Sequence, residues 1–237
     1  MSSKTGYFVT GTDTEVGKTL VSGALILKLR EQGKKTIGFK PVVAGTYPGQ
    51  NGEFVNEDIE TLQIAANAPH TQPICPYVLD TPAAPHIVAN ANGIDLNLNT
   101  VQQSFRNIQS EHDCVIVEGA GGFIVPLNDQ ENLADFAQSI NLPIIVVVGM
   151  KLGCLNHALL TIEAIKSRKI KIAGWVANTL TQEMNLLNEN IQSLQARIDA
   201  PFLGTIPPLP TALQKQNNSP YSLAALQFAA QHIQLPK

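Results

Sequence analysis

The chain has 237 residues, 44% of them hydrophobic, and its 16 Lys and Arg against 19 Asp and Glu leave a formal net charge of -3. Such a length fits one large α/β domain with a core of its own, while a balance this close to neutral lacks the concentrated positive field that nucleic acid binding requires. The longest apolar run, residues 144–148, falls far below the roughly 20 residues that cross a bilayer, and the three apolar residues after Gly6 are too few for the core of a signal peptide, so neither a membrane nor a targeting segment is expected.

Short β-branched or aromatic runs alternate with longer stretches of helical period, the pattern of stacked βαβ units. A strand over residues 7–10 leads into a helix over 18–32, where Leu20, Ala24 and Leu27 recur at three- and four-residue spacings. Strand 36–40 and helix 57–67 follow, then an irregular stretch over 68–100 in which Pro69, Pro73, Pro76, Pro82 and Pro85 forbid a long helix. Any chemistry there sits on loops. Beyond it the sequence predicts helix 100–110, strand 114–118, helix 133–140, strand 144–148, helix 155–167, strand 172–178, helix 184–198, strand 202–205 and helix 222–232. Residues 144–148 are apolar without alternation, as a strand covered on both faces must be. No internal repeat or charge block breaks the chain, and the Gly/Pro clusters at 45–52 and 207–210 lie between elements. Residues 1–237 therefore read as a single α/β domain, with a mainly parallel sheet and helices on both faces. Cys75, Cys114 and Cys154 are odd in number and form no CxxC pair, which suggests reduced structural thiols in a cytoplasmic protein. His70, His86, His112, His157 and His232 show no metal-ligand spacing, and Trp175, on an apolar strand, reads as core.

Residues 11–19 read Gly-Thr-Asp-Thr-Glu-Val-Gly-Lys-Thr between the first strand and the first helix, the context that makes a glycine-bounded loop a credible phosphate site. There, backbone N–H groups face the phosphates, the helix starting near Gly17 adds the positive end of its dipole, Lys18 reaches the β- and γ-phosphates, and the Thr19 hydroxyl ligates magnesium. Five residues rather than four separate Gly11 from Gly17, so the loop is a variant of the common pattern. Read structurally, Lys18 would be a cation at the wrong end of a helix dipole, which needs phosphates to justify it. Glu118 ends the apolar strand 114–118 and precedes Gly119, Ala120, Gly121 and Gly122. A carboxylate at the carboxyl edge of a parallel sheet faces the ligand crevice.

Together with the loop, four further segments carry a family resemblance: Phe39-Lys-Pro-Val42, Val117-Glu-Gly-Ala-Gly-Gly122, Lys151-Leu-Gly-Cys-Leu-Asn-His-Ala158 and Gly174-Trp-Val-Ala-Asn178. In order and spacing the chain resembles dethiobiotin synthetase over most of residues 5–210. The resemblance implies a P-loop NTPase-like fold and the closing of a urea ring from 7,8-diaminopelargonate, CO2 and ATP, with Mg2+, by way of a carbamate and a carbamic-phosphoric anhydride. No covalent enzyme intermediate is needed, so the protein's work is positioning and charge stabilisation.

Residue by residue, the resemblance implies a substrate-side catalytic lysine at Lys40, with Lys18 beside it, and contacts from Thr14 and Glu15 to phosphates and diamine. Nucleotide contacts fall on Glu15, Val16, Gly17, Lys18, Thr19 and Leu20, on Gly119, Ala120 and Gly121, on Asn178 and Thr179 near the base, and on Pro207, Pro208 and Leu209 closing over it. Thr19, Asp58 and Glu118 form the implied magnesium set, hard oxygen donors for a hard cation, with Glu57 competing with Asp58 for that role. Lys151, Gly153, Cys154, Leu155 and Asn156 resemble the segment that holds the substrate's distant carboxylate across a homodimer interface, and a helix start near Leu155 suits a carboxylate.

The chain departs from the family's pattern at Ala44, where a serine hydroxyl commonly meets substrate, and at Ala83 and Ala84 before Pro85. Thr46 or a water could replace the first. Two rival readings share the phosphate loop: a partitioning-type ATPase switch acting on protein partners, and an amidoligase resembling cobyrinic acid diamide synthetase. The first carries an extra lysine early in the loop, absent from Thr12-Asp-Thr-Glu15. The second needs a glutamine-hydrolysing domain, for which 237 residues leave no room.

Overall fold

The structure, a computed structural model, describes residues 5–49, 52–179, 184–216 and 218–237. The first four residues, which enter the expectation of no targeting segment, lie outside that set. In chain order the elements are β1 (Thr5–Gly11), α1 (Lys18–Glu31), β2 (Thr36–Phe39), β3 (Val42–Ala44), β4 (Tyr47–Pro48), β5 (Phe54–Val55), α2 (Glu57–Ala66), β6 (Tyr77–Leu79), α3 (Pro85–Ala91), α4 (Leu98–Glu111), β7 (Cys114–Glu118), α5 (Leu133–Ile140), β8 (Ile144–Gly149), α6 (Cys154–Ser167), β9 (Ile172–Asn178), α7 (Leu187–Gln195), β10 (Phe202–Ile206) and α8 (Leu223–Gln231).

Six strands form a wholly parallel sheet in the order β10-β9-β8-β1-β7-β2. Every residue of β7 and β8 is buried, as their unbroken apolar runs require. Helix α1 packs with α2 and α8, and α4 packs with α5, so the sheet is covered on both faces. β1 sits between β7 and β8, and the chain passes from β7 on one side of it to β8 on the other. A crevice opens outside the carboxyl ends of strands at such a switch point, and here it falls where the phosphate loop leaves β1.

Local signals explain most boundaries. Asn132 caps α5, accepting from Ala134 N and Asp135 N while the Asp135 carboxylate accepts from Asn132 N, a reciprocal cap. Asn56 caps α2 by accepting from Asp58 N and Ile59 N, and its side-chain amide donates to Gly45 O at 2.7 Å. The predicted strand 36–40 stops at Phe39; Lys40 turns away and its N–H bonds Ile74 O at 2.9 Å. The predicted helix 184–198 begins only at Leu187, because Leu186 takes a left-handed φ of 54° that a helix cannot continue through, and it ends at Gln195. The proline-rich stretch holds no long helix but does hold β6, paired parallel to β3, and α3 with Pro85 in its first turn, the position where proline is tolerated. Behind these pieces Val42, Leu79, Val88, Leu96, Leu127 and Leu133 form a small second core. Among the described residues no helix is long and apolar enough to cross a membrane.

Candidate active site

The phosphate loop is pinned from below. Val16 is fully buried, and Asn178 Nδ2, from the end of β9, donates to Val16 O at 2.9 Å. Gly17 caps α1 with φ 88°, and a Cβ there would meet Asn178 Nδ2 at 2.1 Å, so both backbone and packing demand glycine. Glu15 also has positive φ, 59°, a conformation that side chains other than glycine adopt at a cost and that concentrates at functional loops. At the loop's tip the Asp13 carboxylate accepts from Thr14 N at 2.8 Å and from Lys151 Nζ at 2.9 Å. Its hydrogen bond from Lys151 holds the Asp13 carboxyl below the usual range.

Above the loop, two strand ends and two helix starts bring five side chains together: Lys40 just after β2, Glu118 at the end of β7, Lys18 and Thr19 at the start of α1, and Asp58 at the start of α2. The Thr19 hydroxyl lies 2.6 Å from Asp58 Oδ1 and 2.8 Å from Glu118 Oε1. Lys40 Nζ lies 2.6 Å from Glu118 Oε1, 2.7 Å from Asp58 Oδ2 and 3.2 Å from Gly119 O. Lys18, curled back along the loop, donates to Asp13 O at 3.0 Å. Glu118 is 0% exposed and Lys40 2%. Glu118 Oε2 is buried with no hydrogen-bond partner, an expensive state for a carboxylate oxygen.

Burial acts to discharge all four ionisable groups, and their neighbours overturn it at Lys40 and Asp58 but not at Lys18 and Glu118. Burial works against the Lys40 ammonium, but Asp58 and Glu118 outweigh it and hold its pKa above the ordinary lysine value. Burial likewise raises Asp58, yet Lys40, Thr19 and Lys18 bring it down to about 2. Glu118, the most enclosed, is pushed up by burial and by Asp58, with Lys40 opposing. Burial and then repulsion from Lys40 lower Lys18 to about 8, despite the nearby carboxylates. A hard cation fits this oxygen set: two carboxylates and one hydroxyl converge, and one oxygen lacks a partner. Geometry also separates Asp58 from Glu57, whose carboxylate turns to Lys215 at 2.6 Å.

The five side chains sit in a cleft of ≈ 1070 Å³ that Thr14, Glu15, Gly17, Ala120 and Gly121 also line. One wall is apolar, made by Val42, Ala44, Pro82, Ala83, Ala84 and Val125, with Thr46 beside them. Tyr47 lines the same wall and donates to Glu60 Oε2. Among the described lining residues none comes from 151–156, 178–179 or 207–209. Thr179 donates to Ile206 O and is buried, and Pro207, Pro208 and Leu209 leave the end of β10. Leu20, 3% exposed, and Cys154, 2% exposed, have core side chains, so only their backbone could serve a ligand. Gly153 begins α6 with φ 93°. Asn56, Tyr47, Lys215, Asn218 and Tyr221 line the cleft although no motif marked them; Asn56 three residues ahead of α2's third position was a readable cap signal, and the others carry none.

Residues 5–216 match the family model described as "AAA domain". The chain is 45% identical over 208 residues to the ATP-dependent dethiobiotin synthetase BioD of Aromatoleum aromaticum, covering 87% of this chain and 92% of the relative. It is 47% identical over 204 residues to the protein of that name from Ralstonia nicotianae, covering 86% of this chain and 89% of the relative. Among solved structures it resembles a ParA family ATPase from Chlorobium tepidum, with a TM-score of 0.56 at 13% identity over 97% of this chain and 91% of that one. A cobyrinic acid a,c-diamide synthase from Mycobacterium smegmatis with bound ADP and magnesium gives a TM-score of 0.54 at 14% identity over 95% and 90%. At such identities these structures speak for the P-loop NTPase fold alone. The sequence relatives, matched across nearly their whole length, say more: the chain belongs to the ATP-dependent dethiobiotin synthetase family, ligases of biotin biosynthesis.

Proposed function

We propose that the chain, acting as one domain, joins CO2 to 7,8-diaminopelargonate and closes the ring of dethiobiotin at the expense of ATP. The observation that carries this reading is Lys40, buried between Glu118 and Asp58 beside the phosphate-loop groups Lys18 and Thr19, at the foot of an apolar wall suited to a diamine's alkyl chain. One amine takes up CO2 as a carbamate and loses a proton. A carbamate oxygen attacks the γ-phosphorus and ADP departs. The second amine then attacks the carbamoyl carbon, phosphate leaves, and a second proton is released.

Each residue has a task in this sequence. Lys40, kept protonated by two carboxylates, is a fixed cation for the carbamate and the transferring phosphoryl group rather than a base. Lys18 and the N–H groups of Gly17 and Thr19 receive the β- and γ-phosphates. Thr19, Asp58 and Glu118 would hold Mg2+, which when bound spreads the charge of the phosphate oxygens. Thr14 and Glu15, on the cleft's lining, face the diamine, and Gly119, Ala120 and Gly121 allow close backbone approach. Asn178 and Thr179, with Pro207, Pro208 and Leu209, flank the base. The wall that carries Ala44 in place of a hydroxyl has the Thr46 hydroxyl beside it, while the Tyr47 phenol is engaged by Glu60.

Lys151 and residues 153–156 do not line the cleft of their own chain. In this reading they complete a second chain's site, holding the distant carboxylate across a homodimer interface. Three free cysteines support a cytoplasmic setting. Phosphate release from purified protein tests the core of the proposal: it should need diamine and bicarbonate together, and Lys40→Ala should lower it at least about a hundredfold, the scale of removing one preorganised charge-stabilising donor. Turnover without diamine, stimulated by another protein, would instead favour the partitioning-type switch.

A further inference from the structure

Part of the chain between β10 and α8 also reaches the cleft. It leaves Ile206 through Pro207, Pro208 and Leu209, makes the 3-10 turn Thr211–Leu213 and ends at Ser222, the cap of α8. Gln214 Nε2 donates to Leu209 O at 3.0 Å, tightening its first half. Lys215, Asn218 and Tyr221 then line the cleft. Among the described residues, two polar contacts fasten this strap to α2. Lys215 Nζ lies 2.6 Å from Glu57 Oε1 and 5.1 Å over the centre of the Tyr221 ring, and Tyr221 N donates to Thr61 Oγ1 at 3.0 Å.

Both anchors stand on the helix whose second residue is Asp58. The Tyr221 phenol is pushed up to about 12 by burial and then by Asp58, Glu57 and Glu118, which places it within the field of the carboxylate cluster. Side chains of Lys215 and Glu57 are 25% and 32% exposed, so their pair forms without the full cost of stripping two charges of water. Lys215 thus brings a cation into the cleft from a segment remote in sequence from the phosphate loop.

We infer that Lys215 is a positioning residue for the nucleotide: its ion pair with Glu57 fixes the first turn of α2 and so holds Asp58 toward Thr19. This rests on the reading of the cleft as an ATP site. Released from Glu57, the strap loses one of its two anchors on α2, and the base-flanking residues Pro207 to Leu209 lose a support downstream of them.

The test is direct binding of ATP with magnesium to the full chain without diamine, by calorimetry, with KM values for ATP and diamine measured beside it. Lys215→Ala should weaken ATP binding about tenfold, the yield of one partly exposed ion pair together with its cation–π contact. Lys215→Arg should stay near wild type. Lys215→Glu should bind worse still, and Lys215→Glu with Glu57→Lys should recover most of that loss. KM for the diamine should move less than about twofold, since uniform binding of one substrate is what is removed. Wild-type affinity in Lys215→Ala, or a charge swap no better than Lys215→Glu alone, overturns the inference while leaving the ATP site standing. If Lys215→Ala does not fold, Lys215→Arg and the swap decide. Failure of the wild-type chain to bind ATP overturns the reading of the cleft, and this inference with it.

Discussion

Lys18 is the most informative single residue for solution behaviour. Its ammonium is lowered to about 8 by burial and by Lys40, from an ordinary value of 10.5. Below pH 8 both folded and unfolded chains carry the proton, and the folded state bears the whole cost of burying it. Between pH 8 and 10.5 the unfolded chain binds the proton more tightly, so this group's contribution to stability rises with pH across that window. Nucleotide phosphates reverse the balance by stabilising the charged form. ATP binding at pH 8.5 should therefore take up protons, and affinity should fall as pH rises above 8. Calorimetry in two buffers of different ionisation enthalpy measures the uptake directly; identical apparent enthalpies would contradict the assignment. Lys40 behaves oppositely, staying charged through this range. Two lysines in one cleft thereby differ in acidity, burial prevailing at Lys18 and the flanking carboxylates at Lys40.

At the scale of elements, the site depends on how closely α2 lies on the sheet. A Cβ at Gly38 in β2 would meet Leu62 Cβ at 2.7 Å and Leu62 Cδ2 at 3.0 Å, and Leu62 is fully buried in α2. Gly38→Ala must move the helix that carries Asp58. It should destabilise the chain by roughly 1–3 kcal/mol, as overpacked cores do, and should raise KM for ATP more than KM for diamine; denaturant unfolding and steady-state kinetics report the two effects. Such elements were largely legible in the sequence. Residues 11–19 with their flanking strand and helix, the apolar runs of β7 and β8, and Glu118 at a strand end announce themselves by local pattern, while the role of Lys40 comes from the family resemblance. What local pattern does not carry is pairing at a distance. Glu57 and Asp58 are equivalent acids at the start of one helix, and only the turn of the helix sends one to Thr19 and the other to Lys215. The cleft-lining role of Lys215 and Tyr221 has no periodicity to betray it, because both residues lie outside every helix and strand. Residues 184–186 read as helical by composition, and the left-handed Leu186 ends that reading.

For the whole molecule, the proposed second copy supplies a measurable expectation. Leu152 is 96% exposed beside Lys151, and Leu160, on α6, is 56% exposed. Water-facing leucines on the segment read as crossing to a partner call for cover. Sedimentation of the wild-type chain should show a dimer, and Leu160→Glu should shift it toward monomer while sharply raising KM for the diamine, whose carboxylate ligands come from the other chain in this reading. A monomeric wild type with full activity would remove the interface from the account.

The order of the sheet has one more effect. Lys40 and Glu118 are 78 residues apart in sequence, and Thr19 and Glu118 are 99 apart, yet each pair depends on β7 slotting between β1 and β2. Loops of that size close slowly and only once non-local pairing repays them. Catalytic competence therefore has no early precursor along the folding route: a chain still emerging from the ribosome can possess the glycine loop and its helix for some time before β7 arrives to make them an enzyme.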